Sequence, residues 1–173
     1  MKYLIGNWKM SISKDGIKKF LKDLKSIKFP KSVRLGVACP NVYVGDLQPE
    51  FSTIGWKTGV QNVSYAQSGA FTGEVSAQML KDKKVDFCLV GHSERRTLFF
   101  EDNKMINQKL GQLLSQKITP ILCIGETLEE YENKLTKRVL AKQLKEGLKG
   151  IENPQKLITI NCIRLANITM IRY

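Results

Sequence analysis

The chain has 173 residues, 42% of them hydrophobic and 25% charged, which is ordinary for a globular protein with one buried core. No stretch approaches the ~20 apolar residues of a membrane span, and the amino terminus lacks a signal-peptide pattern, so we expect a cytoplasmic protein with no membrane contact. The net charge of +12 is typical of nucleic-acid binding, but the lysines are spread along helical segments without a nucleic-acid motif, which argues against such a partner.

The first sixty residues predict three strands and two helices. Apolar residues recur at helical spacing between Lys14 and Lys28. Pro49 is expected to end the second helix, because proline cannot donate the backbone hydrogen bond that continues one. The predicted order is a strand at 3–6, a helix at 14–28, a strand at 33–39, a helix at 42–48 and a strand at 53–60.

Residues 61–160 continue the alternation after a glycine-bearing loop at 64–72. Asp102 predicts a helix N-cap, and Thr127 with Glu130 forms a capping box that opens one long helix through Leu148. The predicted order is a helix at 75–83, a strand at 87–90, a helix from 102 to 116, a strand at 118–124, the long helix and a strand at 156–160.

This βα alternation, with five units complete and a sixth begun, implies a parallel sheet with helical crossovers. Doubly wound sheets and (β/α)₈ barrels both place functional residues at the carboxyl ends of the strands. No glycine-rich nucleotide loop follows the first strand, which disfavours the nucleotide-binding open sheet. The polar residues that gather at predicted strand ends are Asn7, Lys9, Gln61, Asn62, His92, Glu94 and Glu126.

The only histidine, His92, follows a strand that stops at Gly91 and precedes Ser93, which can open a helix. A helix amino terminus disfavours the charged imidazole, so His92 is expected to be neutral and able to donate a proton or a hydrogen bond. The alternative is a polar residue that is merely satisfied at the mouth of a loop.

The four cysteines predict reduced, buried thiols. Each lies in or beside an apolar run, and no Cys-x-x-Cys pair occurs. One histidine cannot complete a Cys/His zinc site, so we expect no metal. A disulfide is the weaker alternative. The four are Cys39, Cys88, Cys123 and Cys162.

Five short strings occur in order at predicted strand ends and loops: 6–10 (GNWKM), 59–62 (GVQN), 69–76 (GAFTGEVS), 90–96 (VGHSERR) and 120–127 (PILCIGET). Together they resemble the triosephosphate isomerase family over roughly residues 1 to 160. The resemblance implies a (β/α)₈ TIM barrel, with about six of its eight βα units present. It also implies a cofactor-free enzyme of glycolysis and gluconeogenesis that interconverts dihydroxyacetone phosphate and D-glyceraldehyde 3-phosphate through an enediolate.

The resemblance further implies roles for individual residues. His92 would polarise the substrate carbonyl, and Lys9 would stabilise the enediolate electrostatically. Asn7 would bind the substrate and hold Lys9, and Glu94 would support the Lys9 ammonium unless it is only a carboxylate in a first helical turn. Triosephosphate isomerase is itself the standard example of a neutral histidine electrophile that works with a glutamate base under a closing loop. Gln61, Asn62 and Glu126 are expected to be structural hydrogen-bonding residues.

Homodimers are the expected assembly of this family. The loop at 64–74 would reach into the second subunit, with Thr72 near the other subunit's Asn7 and Lys9. Glu74 would pair with Arg95 across a symmetric interface.

The resemblance stops near residue 160, which divides the chain into a barrel portion at 1–160 and a divergent tail at 161–173. The tail contains no Glu, Asp, Gly or Pro, whereas the family places its glutamate base and lid after the sixth strand. We therefore expect no general base and little or no activity, and interpret the departure as a shifted reading frame or a premature stop. The alternatives are an inactive remnant that binds anions or other chains and, last, a basic nucleic-acid-binding domain.

Overall fold

Six short apolar strands pair in chain order to form one parallel sheet in the computed structural model, which describes residues 2–24, 27, 29–30 and 32–161. The strands are β1 Lys2–Asn7, β2 Val33–Cys39, β3 Lys57–Val60, β4 Phe87–Val90, β5 Thr119–Ile124 and β6 Ile158–Asn161. A doubly wound sheet reverses its strand order, whereas this order runs from β1 to β6 without reversal. The fold is therefore an incomplete (β/α)₈ barrel, as the sequence predicts.

Helices follow the strands as crossovers. They are α1 Lys14–Leu24, α2 Val44–Ile54, α3 Ala77–Asp82, α4 Ser93–Leu98, α5 Asn103–Ser115, α6 Leu128–Glu132 and α7 Thr136–Gly147, with short 3₁₀ turns at Asn41–Tyr43 and Pro154–Lys156. The caps at Asp102 and Thr127 form as predicted, and Thr127 and Glu130 make both bonds of the capping box. In the described part of the chain, none of these helices is long and apolar enough to cross a bilayer.

Three predicted boundaries are wrong by four or more residues. The second helix continues past Pro49 to Ile54, because Val44, Leu47 and Phe51 lie on one buried face that spans the proline. It ends at Gly55, whose φ of 73° suits a left-handed cap, so the third strand begins at 57 instead of 53. The first helix ends at Leu24, and residues 25, 26 and 28 of its predicted range lie outside the described residues.

The long helix predicted after Thr127 is two helices. Lys134 has a φ of 59°, which no helix interior tolerates, and it separates α6 from α7. Leu140, Leu144 and Leu148 pack against the core, whereas Leu128 and Tyr131 are exposed. The apolar residues of this region therefore do not form one continuous helical face.

The core has two parts. The larger cluster lies between the sheet and the helices and includes Phe20, Leu47, Phe51 and Leu110. The thiols of Cys39 and Cys88 are buried and free, Cys123 is also buried, and desolvation raises the pKa of Cys39 to about 12. For Cys39 and Cys88 this agrees with the prediction of reduced thiols, and Cys162 lies outside the described residues.

A smaller cluster of Ala38, Phe87, Leu89, Ile121 and Cys123 is separate from it. The Phe87 ring packs directly on the glycines of the two preceding strands. A Cβ at Gly36 would lie 2.8 Å from the ring, and one at Gly59 would overlap it. The close approach of Phe87 to β3 therefore requires a residue without a side chain.

We predict that Gly59→Ala destabilises the fold by about 1–3 kcal/mol, because the added methyl group displaces Phe87. Gly111→Ala is the matched control. It lies inside α5 with open space around its Cα, and we expect it to raise stability by about 0.5–1 kcal/mol. Urea unfolding measures both changes, and equal effects of the two substitutions would contradict the packing argument.

Candidate functional site

The carboxyl ends of β1 and β4 bring four of the predicted site residues together. Asn7 ends β1 and Lys9 follows it, while His92 follows β4 and Glu94 lies in the first turn of α4. A hydrogen-bonded ion pair of 2.6 Å between Lys9 Nζ and Glu94 Oε1 joins the two segments. The structure thus forms a contact between residues that are 85 positions apart in the chain.

His92 caps α4 with its own ring. Gly91, at a φ of 72°, turns the chain out of β4, and His92 Nδ1 accepts a hydrogen bond of 3.3 Å from the Glu94 amide. An acceptor nitrogen carries no proton, so the neutral ring has its proton on Nε2. The predicted helix position is thereby refined, because His92 and not Ser93 is the N-cap residue.

Burial is the main reason that the pKa of His92 lies below its ordinary value of 6.5. The Glu94 carboxylate opposes this shift, and the Lys9 ammonium adds to it. Glu94 Oε2 lies 3.5 Å from His92 Nδ1, and the imidazole side chain is only 12% exposed. The neutral imidazole is therefore favoured, mainly by desolvation instead of by the helix dipole that the sequence suggested.

Lys9 is held in a left-handed backbone conformation, with a φ of 49°. Such a conformation costs on the order of 1–3 kcal/mol in a residue other than glycine and persists only when its surroundings enforce it. The Lys9 amide donates to Asn7 Oδ1 at 3.0 Å, and the Lys9 carbonyl accepts a 2.9 Å bond from Gln61 Nε2. Gln61 also donates to the Ala38 carbonyl at 3.0 Å, which ties the strained residue to β2.

Among the described residues, no hydrogen bond or ion pair joins any two of the three residues predicted at a dimer contact. Thr72 and Glu74 are exposed in the loop between β3 and α3. A 2.8 Å bond from the Ser64 amide to the Val75 carbonyl closes the base of this loop. Arg95 donates through Nε to the carboxylate of Glu101.

Glu101 belongs to a buried polar cluster that the sequence analysis did not identify. The ammonium of Lys109 contacts Glu101 and donates a 2.7 Å bond to Asn62 Oδ1. Burial lowers the pKa of Lys109, and the Glu101 carboxylate opposes the shift. The second Glu101 oxygen has no partner among the described residues. The sequence contained one indication of this cluster. Lys109 falls within the apolar stripe of α5, where a lysine needs a buried partner.

Glu126 is also buried at the end of β5. Its Oε1 accepts a 3.1 Å bond from Thr136, while its Oε2 has no partner in the part of the chain that the structure describes. Together with the bonds of Gln61 and Asn62, this places all three residues in hydrogen bonds at strand ends.

We predict that an NMR titration of His92, which gives one set of histidine signals in this chain, has its midpoint below 6.5. Glu94→Gln should lower the midpoint further, because it removes the carboxylate that favours the charged ring. Lys9→Met should raise it, because the opposing cation is lost. A wild-type midpoint at or above 6.5, or shifts of the reverse sign, would contradict this account.

Comparison with known proteins identifies the family. The family model of triosephosphate isomerase matches residues 2–161. The triosephosphate isomerase of Finegoldia magna is 40% identical over 148 residues, which is 86% of this chain and 59% of that protein. The enzyme of Mycoplasmoides gallisepticum is 44% identical over 154 residues (88% and 61%), and that of Chlamydia muridarum is 41% identical over 148 residues (84% and 55%). The chain spans about 60% of the length of the first of these relatives. The family model matches almost the whole described chain, and the strands pair in chain order. This protein therefore belongs to the triosephosphate isomerase family.

Proposed function

We propose that this chain carries the electrophilic part of a site that interconverts dihydroxyacetone phosphate and D-glyceraldehyde 3-phosphate. The observation that carries the proposal is the bond from the Glu94 amide to His92 Nδ1, which leaves a proton on Nε2 of a neutral ring. Neutral histidine as electrophile is the known chemistry of triosephosphate isomerases, which are its standard example.

The proposed roles follow from charge and position. As a proton leaves the substrate carbon, negative charge builds on the carbonyl oxygen, and His92 Nε2–H donates to that oxygen. The His92 proton can then move between the two substrate oxygens, because the ring regains it from the neighbouring hydroxyl. The Lys9 ammonium lowers the energy of the enediolate, while Asn7 binds the substrate and Glu94 orients the ammonium.

The proton-abstracting base is a separate requirement. Glu94 is committed to Lys9 and contacts His92, and Glu126 is buried against Thr136, so neither carboxylate is placed to reach a substrate carbon. The residues from 162 to 173 contain no acid. A missing general base alone typically lowers the rate by ~10²–10⁴. We therefore propose that these 173 residues alone turn over at or near the background rate.

A chimera tests the assignment of roles. We join residues 1–160 of this chain to the corresponding carboxyl-terminal part of the Finegoldia magna relative and measure isomerisation of glyceraldehyde 3-phosphate in a coupled assay. We expect measurable turnover in the chimera, and a loss of ~10²–10³ in kcat on His92→Gln or Lys9→Met, because each removes a group that stabilises developing charge.

Two controls accompany the chimera. Lys14→Met removes an exposed lysine at the start of α1 and should leave turnover unchanged. The 173-residue chain itself should remain at background. A folded chimera that is insensitive to both site substitutions would refute the assigned roles, and robust turnover by the 173-residue chain would refute the proposed need for a further base.

We also propose a homodimer built on the loop between β3 and α3. This loop exposes two aromatic rings, Tyr65 and Phe71, which pack edge-to-face at 5.7 Å, and Met10 beside the site is 97% exposed. Exposed aromatic and methionine side chains are typical of protein interfaces. In the proposed dimer Thr72 of one subunit approaches Asn7 and Lys9 of the other, and Glu74 pairs with Arg95.

We predict that Glu74→Lys raises the dimer dissociation constant by about tenfold or more, because it places a cation against Arg95. Glu129→Lys, an exposed substitution of the same charge on α6, is the matched control and should have little effect. Sedimentation equilibrium measures both constants. A wild-type monomer at micromolar concentrations, or equal effects of the two substitutions, would overturn the proposed interface.

A further inference from the structure

We infer that Arg96 is a positioning residue for His92, an assignment that rests on the proposed electrophilic role of that histidine. Arg96 Nε donates a 2.8 Å hydrogen bond to the carbonyl of Gly91, the residue directly before His92. The Arg96 amide donates a 3.1 Å bond to the carbonyl of His92 itself. One residue therefore binds the carbonyl groups on both sides of the histidine.

These bonds act on the part of the backbone that determines where the ring points. Gly91 turns the chain at a φ of 72°, and the amide that bonds His92 Nδ1 belongs to Glu94, two residues after the histidine. A rotation of the Gly91 peptide would move the ring relative to that amide. Because Arg96 Nε fixes the Gly91 carbonyl, it also fixes the distance between Nδ1 and its donor.

The guanidinium occupies a position that only glycine leaves open. A Cβ at residue 91 would lie 3.1 Å from Arg96 Nη2 and 2.8 Å from Ile106 Cδ1. The guanidinium thus packs against the Cα of Gly91 as well as bonding its carbonyl. This close packing restricts the turn in a way that a hydrogen bond alone does not.

The other nitrogens of Arg96 connect the turn to its neighbours. Nη2 donates to the Cys123 carbonyl of β5 at 3.2 Å, and Nη1 donates to Asn103 Oδ1 at the start of α5 at 2.7 Å. Asn103 in turn donates to Glu146 of α7 at 2.7 Å. A lysine at 96 could keep the positive charge but has one nitrogen in place of three, so it could not bind these acceptors in the same fork geometry.

A positioning role differs in a measurable way from a role in stability alone. If Arg96 only holds elements together, its replacement lowers stability but leaves the folded site unchanged. If it positions His92, the folded variant also changes the hydrogen bond to Nδ1. That bond selects the tautomer with the proton on Nε2, and ¹⁵N spectra of the histidine ring report the tautomer directly.

The experiment compares the full 173-residue chain with Arg96→Lys, Asn103→Ala and, as matched control, Arg138→Lys, an exposed arginine on α7. We expect the wild type to hold the Nε2–H tautomer almost exclusively. In Arg96→Lys the share of the other tautomer should rise several-fold, and the titration midpoint should move up towards 6.5 as the ring becomes more exposed. Glu94 and Lys9, the charged residues that act on His92, are unchanged in every variant.

Asn103→Ala removes one partner of the Arg96 guanidinium and leaves the turn at Gly91 unaltered. We therefore expect a smaller change in tautomer share and midpoint, in the same direction. If Arg96→Lys does not fold, Asn103→Ala alone tests the positioning role. Arg138→Lys should match the wild type. A folded Arg96→Lys chain with the wild-type tautomer and midpoint would overturn the inference, as would an unchanged Asn103→Ala if that variant alone folds. These signals require no turnover, so their failure is distinguishable from failure of the proposed isomerase function.

Discussion

The hydrogen bond between the Glu94 amide and His92 Nδ1 is the interaction on which the proposed chemistry of this site depends. It makes Nδ1 an acceptor, and an acceptor cannot hold the proton, so the neutral ring offers its proton from Nε2. The bond requires that a strand stop, turn sharply and begin a helix within four residues. Gly91 supplies the turn and His92 the cap, so the residue with the reactive group also begins the helix that orients it.

The ion pair beside the histidine has a second consequence. Lys9 and Glu94 act on the pKa of His92 in opposite directions, and each lies close enough to matter. A lone carboxylate would favour imidazolium, and a lone ammonium would only add to the penalty of burial. With both charges present their effects partly cancel, and desolvation determines the sign of the shift. The ion pair can therefore place a cation at the site, while the pKa of His92 depends on neither charge alone. The strained backbone of Lys9, held by Asn7 and Gln61, is the structural cost of placing that cation.

The sequence predicted features that depend on local chemistry better than features that depend on distant contacts. β2 has the predicted bounds, and the caps at Asp102 and Thr127 form, because strand propensity and side-chain capping act within a few residues. Pro49 does not end α2 because burial of Leu47 and Phe51 outweighs the loss of one backbone amide, and that burial depends on the sheet beneath the helix. At the site, periodicity placed His92 and Lys9 at strand ends, but only the family resemblance suggested that Lys9 meets Glu94. The buried pair of Glu101 and Lys109 was missed because nothing local to Glu101 indicates that a lysine on α5 will reach it.

The hydrogen bonds that support the proposed electrophilic part of the site join β1 to β5 and the segments after them, in a chain that spans about 60% of the length of the first of its relatives. Lys9, Gln61 and Ala38 connect β1, β2 and β3, and Arg96 connects β4 to β5, so every strand from β1 to β5 contributes to the site or its supports. Away from these residues, Phe87 packs on Gly36 and Gly59 and fixes the spacing of β2, β3 and β4. Neither set of contacts requires a strand beyond β6. The arrangement of charge that polarises a carbonyl is thus separable, in physical terms, from the carboxylate that would remove the proton.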